Sequence, residues 1–166
     1  KGLKDLYAIG FIDRLPRLIS AQAEGCHPIN RAIAENRPWQ PMEENTLADS
    51  IAVGVPRNAD KALMAIRESH GLVVNVSDEE IMAAQKLLGM TCGVFGEPAG
   101  VTGTAGVKKL CEQGIIGKND TVVSVVTGNG LKDVANAIKF CGEPMKLPND
   151  LSLLTAEFDR RGIVTD

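Results

Sequence analysis

Short runs of apolar, β-branched residues alternate along this chain with helical patterns, and this alternation limits the possible folds more than any other feature. Such runs predict strands at 18–23, 72–76 and 121–126, with a shorter one at 93–96. The run 121–126 is nearly continuously apolar, as a strand covered on both faces of a sheet must be. Strands separated by helices are typical of βαβ units, so we expect an α/β domain in which helices flank a parallel sheet, giving three layers.

The segments between these runs carry apolar residues at helical spacing. They predict helices from Lys1 to about Gly10, from Pro28 to about Glu35, over Asn58–Ser69, from Ser77 to Gly89, from Pro98 to Gly114, and over Leu131–Ile138. Ser77 and Glu80 form a capping-box pattern, in which each side chain can bond the backbone N–H of the other residue.

The helical periodicity fades beyond Cys141. We therefore divide the chain into an α/β portion over residues 1–140 and a C-terminal tail over residues 141–166. Pro144 and Pro148 are expected to interrupt this tail, because proline cannot continue a helix or a sheet ladder.

The composition excludes several classes of protein. With 18 Lys+Arg against 21 Asp+Glu among 166 residues, the net charge is −3, and no basic cluster suggests a nucleic-acid partner. No apolar run approaches the roughly 18 residues of a membrane span. Four scattered cysteines and two histidines indicate reduced thiols in a cytoplasmic protein with no metal site. The chain opens without Met, and we interpret it as a piece of something longer.

Candidate ligand-binding residues follow the predicted strands, since ligands of parallel sheets bind at the carboxyl ends of the strands. Three segments qualify: 23–25, 96–100 and 127–130. Thr127 would present a hydroxyl at a strand tip, although a Gly-rich turn also occurs for purely structural reasons. Glu97 would either serve a ligand or stabilise a helix N-terminus. The spacing supports neither dinucleotide nor ATP binding.

Several of these motifs together resemble the threonine synthase family, in order over about residues 1–133. The matching stretches include Gln22-Ala23-Glu24-Gly25, Leu47 through Gly54, Asn58 through Ser69, Val76 through Ile81, Gly93-Val94-Phe95-Gly96-Glu97-Pro98-Ala99 and Thr127-Gly128-Asn129-Gly130-Leu131-Lys132-Asp133. The resemblance implies an incomplete large, C-terminal domain of the tryptophan-synthase-β-like fold, which is fold type II of the enzymes that use pyridoxal phosphate.

The resemblance also implies an activity and three cofactor-binding residues. The activity is conversion of O-phospho-L-homoserine and water to L-threonine and phosphate. Thr127 corresponds to the residue whose hydroxyl contacts the pyridine nitrogen, and Ala52 to a residue near the face of the ring. Glu97 corresponds to an acidic residue at the carboxyl end of a strand, close to the cofactor.

Two parts of the family pattern have no counterpart in this chain: the S-F-K-D-like motif with the Schiff-base lysine, and the Gly/Asn phosphate loop. Lys132 belongs to a different motif. We therefore predict no catalytic residue here, an inactive chain when alone, and an N-terminal half of the same protein as its partner, in a homodimer. The alternatives are a threonine or serine dehydratase of the same fold, or a non-catalytic binding module.

Overall fold

Two parallel strands form the centre of the structure, a computed structural model that describes residues 1–142, 146–147 and 149–163. They are β1 (Ile19–Ala23) and β2 (Leu72–Val76), paired in register from Ile19 opposite Leu72 to Ala23 opposite Val76. The helices are α1 (Gly2–Ala8), α2 (Pro28–Ala34), α3 (Ala59–Glu68), α4 (Asp78–Cys92), α5 (Pro98–Glu112), α6 (Val134–Cys141) and α7 (Leu151–Arg161), with 3₁₀ turns at Asp49–Ile51 and Gly130–Asp133.

The two faces of this sheet are covered by different helices. Val74 and Val76 lie in one buried cluster together with residues of α4 and α5. Val73, which directly precedes Val74, packs instead against the second cluster, which α2 and α3 supply. Side chains alternate between the faces of a strand, so the sheet lies between two helical layers. The predicted three-layer α/β arrangement with a parallel sheet is confirmed.

The larger cluster lies under α4 and α5. Val76, Ile81, Ala84 and Val101 are fully buried there. Helix α5 lies close to the sheet at Gly106, where an added Cβ would stand 2.8 Å from Val74 Cγ1. The small aliphatic residues of this core explain how a chain with 4% aromatic residues packs a sheet between helices.

The predicted capping box is present at the start of α4. Ser77 Oγ accepts from the Glu80 N–H at 3.2 Å, and Glu80 Oε2 accepts from the Ser77 N–H at 2.7 Å. The predicted end of this helix at Gly89 is wrong, because α4 continues to Cys92 and ends where Gly93 adopts φ +65°. A left-handed residue is what terminates such a helix, and Gly93 provides it without a Cβ penalty.

The predicted strand 121–126 does not form among the described residues. The segment pairs with no strand there, and Val123 and Val125 are 85% and 71% exposed. β-branched residues favour extended backbone, but a strand also needs a neighbour to bond. The predicted strand at 93–96 is likewise reduced to a single bridge between Gly96 and Asn129.

The C-terminal tail contains α7, which the fading periodicity did not predict. Its first N–H groups are capped by Asp150, whose carboxylate accepts from Ser152 and Leu153. None of its residues is buried. The predicted interruptions at Pro144 and Pro148 lie outside the described residues.

Candidate functional site

Two loops meet at the N-terminus of α5 and form the candidate site. Two backbone hydrogen bonds join residues 95–97 to residues 128–130 and together form the Gly96–Asn129 bridge. The Glu97 N–H donates to the Gly128 carbonyl at 2.9 Å, and the Gly130 N–H donates to the Phe95 carbonyl at 2.9 Å. Two of the three segments singled out in the sequence are thus brought together.

Glycine is required where these loops touch. A Cβ on Gly128 would lie 1.8 Å from Glu97 Oε1, and a Cβ on Gly100 would lie 2.9 Å from the Gly128 nitrogen. No larger residue fits at Gly128 unless the Glu97 carboxylate moves. The turn is therefore Gly-rich because it holds this carboxylate against its own backbone.

Glu97 is a buried carboxylate, 7% exposed, with one charged partner. Lys132 Nζ lies 3.1 Å from its Oε2 atom, and the Lys132 side chain is 63% exposed. The Glu97 side chain makes no capping hydrogen bond with α5. Glu97 therefore stands at the N-terminus of α5 without bonding its N–H groups, and its charge faces Lys132.

Thr127 directly precedes Gly128 in the chain and is exposed. Its hydroxyl makes no hydrogen bond to any described residue, so it can donate one and accept another. The neighbouring Asn129 is different, because its Oδ1 atom accepts from the Leu131 N–H at 2.9 Å and so shapes the turn.

Ala52 lies on a long loop that reaches the same region. Ile51, its neighbour, packs against the larger core cluster, and so does Val126, the neighbour of Thr127. The 3₁₀ turn Asp49–Ile51 also contacts α5. The residues flanking Ala52 and Thr127 therefore pack against the same core cluster.

Two acidic residues hold this loop, and the sequence analysis did not predict either role. Glu44 is exposed, yet its Oε1 atom accepts from the Gly54 N–H at 2.7 Å. Asp78 accepts from the Thr46 hydroxyl at 2.6 Å and from the Leu47 N–H at 3.0 Å. The partners of Asp78 are more than 30 positions away, so no local pattern could have revealed them.

The third segment, residues 23–25, carries a different cluster, which we call the Lys109 clasp. Lys109 Nζ donates to the Asn75 carbonyl and to Glu80 Oε2 at 2.9 Å each, and to Glu24 Oε1 at 3.3 Å. Partial burial alone would raise the pKa of Glu80, but hydrogen bonds from Lys109 and the Ser77 N–H outweigh it and lower that pKa. The clasp ties α5 to the carboxyl ends of both strands.

The cysteines differ in exposure. Cys26 is buried and its thiol pKa is raised, mainly by that burial, while Cys92, Cys111 and Cys141 are exposed. Within the part of the chain that the structure describes, no three His, Cys, Asp or Glu residues lie together as metal ligands would. Over the same residues, no helix combines the length and apolar character needed to cross a membrane.

The structure thus has α/β layers, with two loops paired at the N-terminus of α5. A family profile described as pyridoxal-phosphate dependent enzyme matches residues 1–128. The chain therefore belongs to the pyridoxal-phosphate dependent enzyme family. Its fold is that of maize serine racemase, with a TM-score of 0.61 at 18% identity over 94% of this chain and 43% of that chain.

Three relatives are called threonine synthase. The protein from Methanosarcina acetivorans is 46% identical over 146 residues, which is 87% of this chain and 36% of that protein. The one from Methanocaldococcus jannaschii is 43% identical over 93% of this chain and 38% of its own length. The one from Mycobacterium tuberculosis H37Rv is 37% identical over 90% of this chain and 40% of its own length. The chain thus spans about two fifths of these relatives.

The residues present fit the pyridine end of pyridoxal phosphate. A ring nitrogen needs one hydrogen-bonding partner, and the unbonded Thr127 hydroxyl supplies one beside the buried Glu97 carboxylate.

Proposed function

We propose that this chain is the C-terminal part of a threonine synthase, which converts O-phospho-L-homoserine and water to L-threonine and phosphate. The observation that carries the proposal is the unbonded Thr127 hydroxyl beside the buried Glu97 carboxylate. The sequence likeness to relatives called threonine synthase over 87% and 93% of this chain supports it.

When bound, pyridoxal phosphate supplies an electron sink for carbanion chemistry. In this proposal the Thr127 hydroxyl binds the pyridine nitrogen. Because a hydroxyl is neutral, it does not force that nitrogen to remain protonated, as a carboxylate there would. Ala52 bounds the face of the ring with a small apolar side chain, which lets the ring lie close to the loop.

Glu97 and Lys132 act as a pair in this proposal. A buried carboxylate is costly unless it is paired, and the Lys132 ammonium 3.1 Å away compensates its charge. An ammonium engaged in this way is a poor candidate for the lysine that carries the cofactor. We therefore assign that lysine and the phosphate-binding loop to an N-terminal half of the protein, and we expect a cytoplasmic homodimer.

The test uses the natural full-length polypeptide that contains these residues. Thr127→Val removes the hydroxyl with little change in volume and should lower kcat for phosphate release from O-phosphohomoserine by roughly tenfold to a hundredfold, the effect of one hydrogen bond to a charged or reacting group. The matched control Thr121→Val, also at an exposed threonine of the same segment, should leave kcat unchanged.

Two outcomes would overturn the proposal. Ammonia release from threonine with no phosphate release from O-phosphohomoserine would identify a dehydratase instead. A natural polypeptide that binds no pyridoxal phosphate would favour a non-catalytic binding module. Borohydride reduction followed by peptide mapping adds a third arm, since cofactor fixed on Lys132 would contradict the pairing assigned to that residue.

A further inference from the structure

The loop between Met42 and Gly54, on which Ala52 lies, begins and ends at nearly the same point. The Met42 N–H donates to the Gly54 carbonyl at 3.3 Å. A Cβ on Gly54 would lie only 2.0 Å from the Met42 carbonyl oxygen. Loops whose ends meet in this way are Ω-loops, which are frequently functional. We call the meeting point of the two ends the neck.

The body of this Ω-loop is fastened to the sheet and to α4. The Asn45 N–H donates to the Gly25 carbonyl at 3.1 Å, directly after β1. Asp78, in the first turn of α4, accepts from the Thr46 hydroxyl and the Leu47 N–H. These bonds hold the first half of the loop, at residues 45–47. The second half, which carries Ala52, makes none of these three bonds.

One side chain closes the neck. Glu44 Oε1 accepts from the Gly54 N–H at 2.7 Å, and Gly54 is buried. A hydrogen bond to an ionised acceptor is roughly twice as strong as one between neutral groups. Without Glu44, the buried Gly54 N–H loses its acceptor at the neck.

A buried thiol lies beneath this neck. Cys26 is 1% exposed, and both the Val53 backbone N–H and the Glu44 carboxylate act on its sulfur. The His27 N–H donates to Met42 Sδ at 3.0 Å, so the turn after β1 contacts the other end of the loop as well. Cys26 thus lies close to the neck, and its alkylation rate serves as a readout of local opening there.

We propose that Glu44 is a positioning residue for the cofactor site, because it fixes the backbone from Ala52 to Gly54 by holding the Gly54 N–H. The inference rests on the proposed function for the ligand that Ala52 faces. The closure of the neck by Glu44 rests only on the contacts described above.

The experiment compares Glu44→Ala, Glu44→Asp and Glu44→Gln with the control Glu43→Ala, in the natural full-length polypeptide. Glu43 is the exposed neighbour of Glu44, and no described residue bonds its side chain. The readouts are the alkylation rate of Cys26, followed by peptide mass spectrometry, the exchange rate of the Gly54 amide hydrogen, and the pyridoxal phosphate concentration for half-saturation, followed by fluorescence.

Glu44→Ala should speed Cys26 alkylation and Gly54 exchange by roughly tenfold or more, because both report local opening. It should also raise the half-saturating pyridoxal phosphate concentration by roughly threefold to tenfold, because a loop that is held less firmly positions Ala52 less well against the ligand. Glu44→Gln keeps an oxygen acceptor and should restore all three values to within about threefold of wild type. Glu44→Asp, one methylene shorter, should fall between them, and it replaces Glu44→Ala if that variant does not fold.

Equal alkylation and exchange rates in Glu44→Ala and Glu43→Ala would overturn the proposal. So would faster alkylation and exchange with an unchanged half-saturating concentration, because the neck would then not reach the cofactor. If the wild-type protein takes up no pyridoxal phosphate, the proposed function fails, and the first two rates still decide whether Glu44 closes the neck.

Discussion

The strand β2 and the segment 121–126 have similar sequences but very different surroundings. Both are rich in valine: β2 has one polar residue among five, and the segment 121–126 has two among six. In β2, Val76 is fully buried between β1 and the helices, whereas Val123 is 85% exposed. The comparison shows that β-branched residues favour an extended segment. They do not make it a strand when no described neighbouring strand provides backbone hydrogen bonds.

Helix α5 lies between these two regions and contacts both. Gly106 faces the sheet, close to Val74 and Ala21. Gly103, three residues earlier, faces Ser124 of the segment 121–126. Substitutions at Gly103 and Gly106 can therefore compare how tightly α5 packs against each region.

Matched valine truncations should give the largest difference. Val76→Ala removes two fully buried methyl groups and should lower the free energy of unfolding by about 2 kcal/mol. Val123→Ala should change it by less than about 0.5 kcal/mol, because the side chain is exposed. Urea unfolding followed by circular dichroism measures both. Equal losses would show that Val123 is covered and would remove the contrast between the regions.

Matched glycine substitutions on α5 should give the next largest difference. At Gly106, an added Cβ meets Val74 Cγ1 at 2.8 Å and Ala21 Cβ at 2.9 Å, and this overpacking should outweigh the gain in helix propensity by about 1 kcal/mol. At Gly103, the contact is with Ser124 Oγ at 3.0 Å.

Since Ser124 is exposed, its hydroxyl can rotate away, and Gly103→Ala should therefore stabilise the chain by about 0.5 kcal/mol. Thermal unfolding of both variants measures the pair. A loss of stability in Gly103→Ala as large as that in Gly106→Ala would mean that the segment 121–126 packs as rigidly as the sheet.

The smallest expected effect depends on pH and concerns the Lys109 clasp. This clasp lies at the carboxyl ends of β1 and β2 and not at the segment 121–126. The pKa of Glu80 is lowered in the folded protein, so its contribution to stability is present above its ordinary pKa of 4.5 and is lost as the pH falls through the lowered value. Glu80→Gln should therefore reduce the loss of stability between about pH 5 and pH 3, by less than about 1 kcal/mol because the pair is partly exposed.

The control for the clasp is Glu43→Gln, at a carboxylate outside it, and this variant should keep the wild-type pH dependence. Denaturant midpoints at several pH values measure the difference. An identical pH dependence in Glu80→Gln and wild type would show that Lys109 and Glu80 contribute nothing to the joint between α5 and the strands.

The features that were predictable from the sequence are the local ones. The capping box of Ser77 and Glu80 and the strand Leu72–Val76 could be read from neighbouring residues. The strand at 121–126 was predicted wrongly because its formation depends on a neighbour that sequence pattern does not contain. Thr127 and Glu97 were singled out because they follow predicted strands, and their role at a cofactor stays a prediction.

The fastening of the Ω-loop was not predictable in the same way. Asp78 looked like an ordinary acidic residue in the first turn of a helix, and Glu44 like a solvated one. Their bonds to Leu47 and Gly54 depend on how the chain returns on itself, which no local spacing encodes. Positions set by tertiary structure were therefore the ones that sequence reasoning missed.

The parallel pairing of Ile19 with Leu72 has a consequence for how the chain folds. Roughly 50 residues must be looped out before β1 finds β2, and contacts so distant in sequence slow folding. During synthesis at roughly 5 to 20 residues per second, β1 would wait about 3 to 10 seconds for its partner. Substitutions that make the unpaired β1 more prone to aggregate would lower the yield of folded protein, while the stability of the native state would stay unchanged.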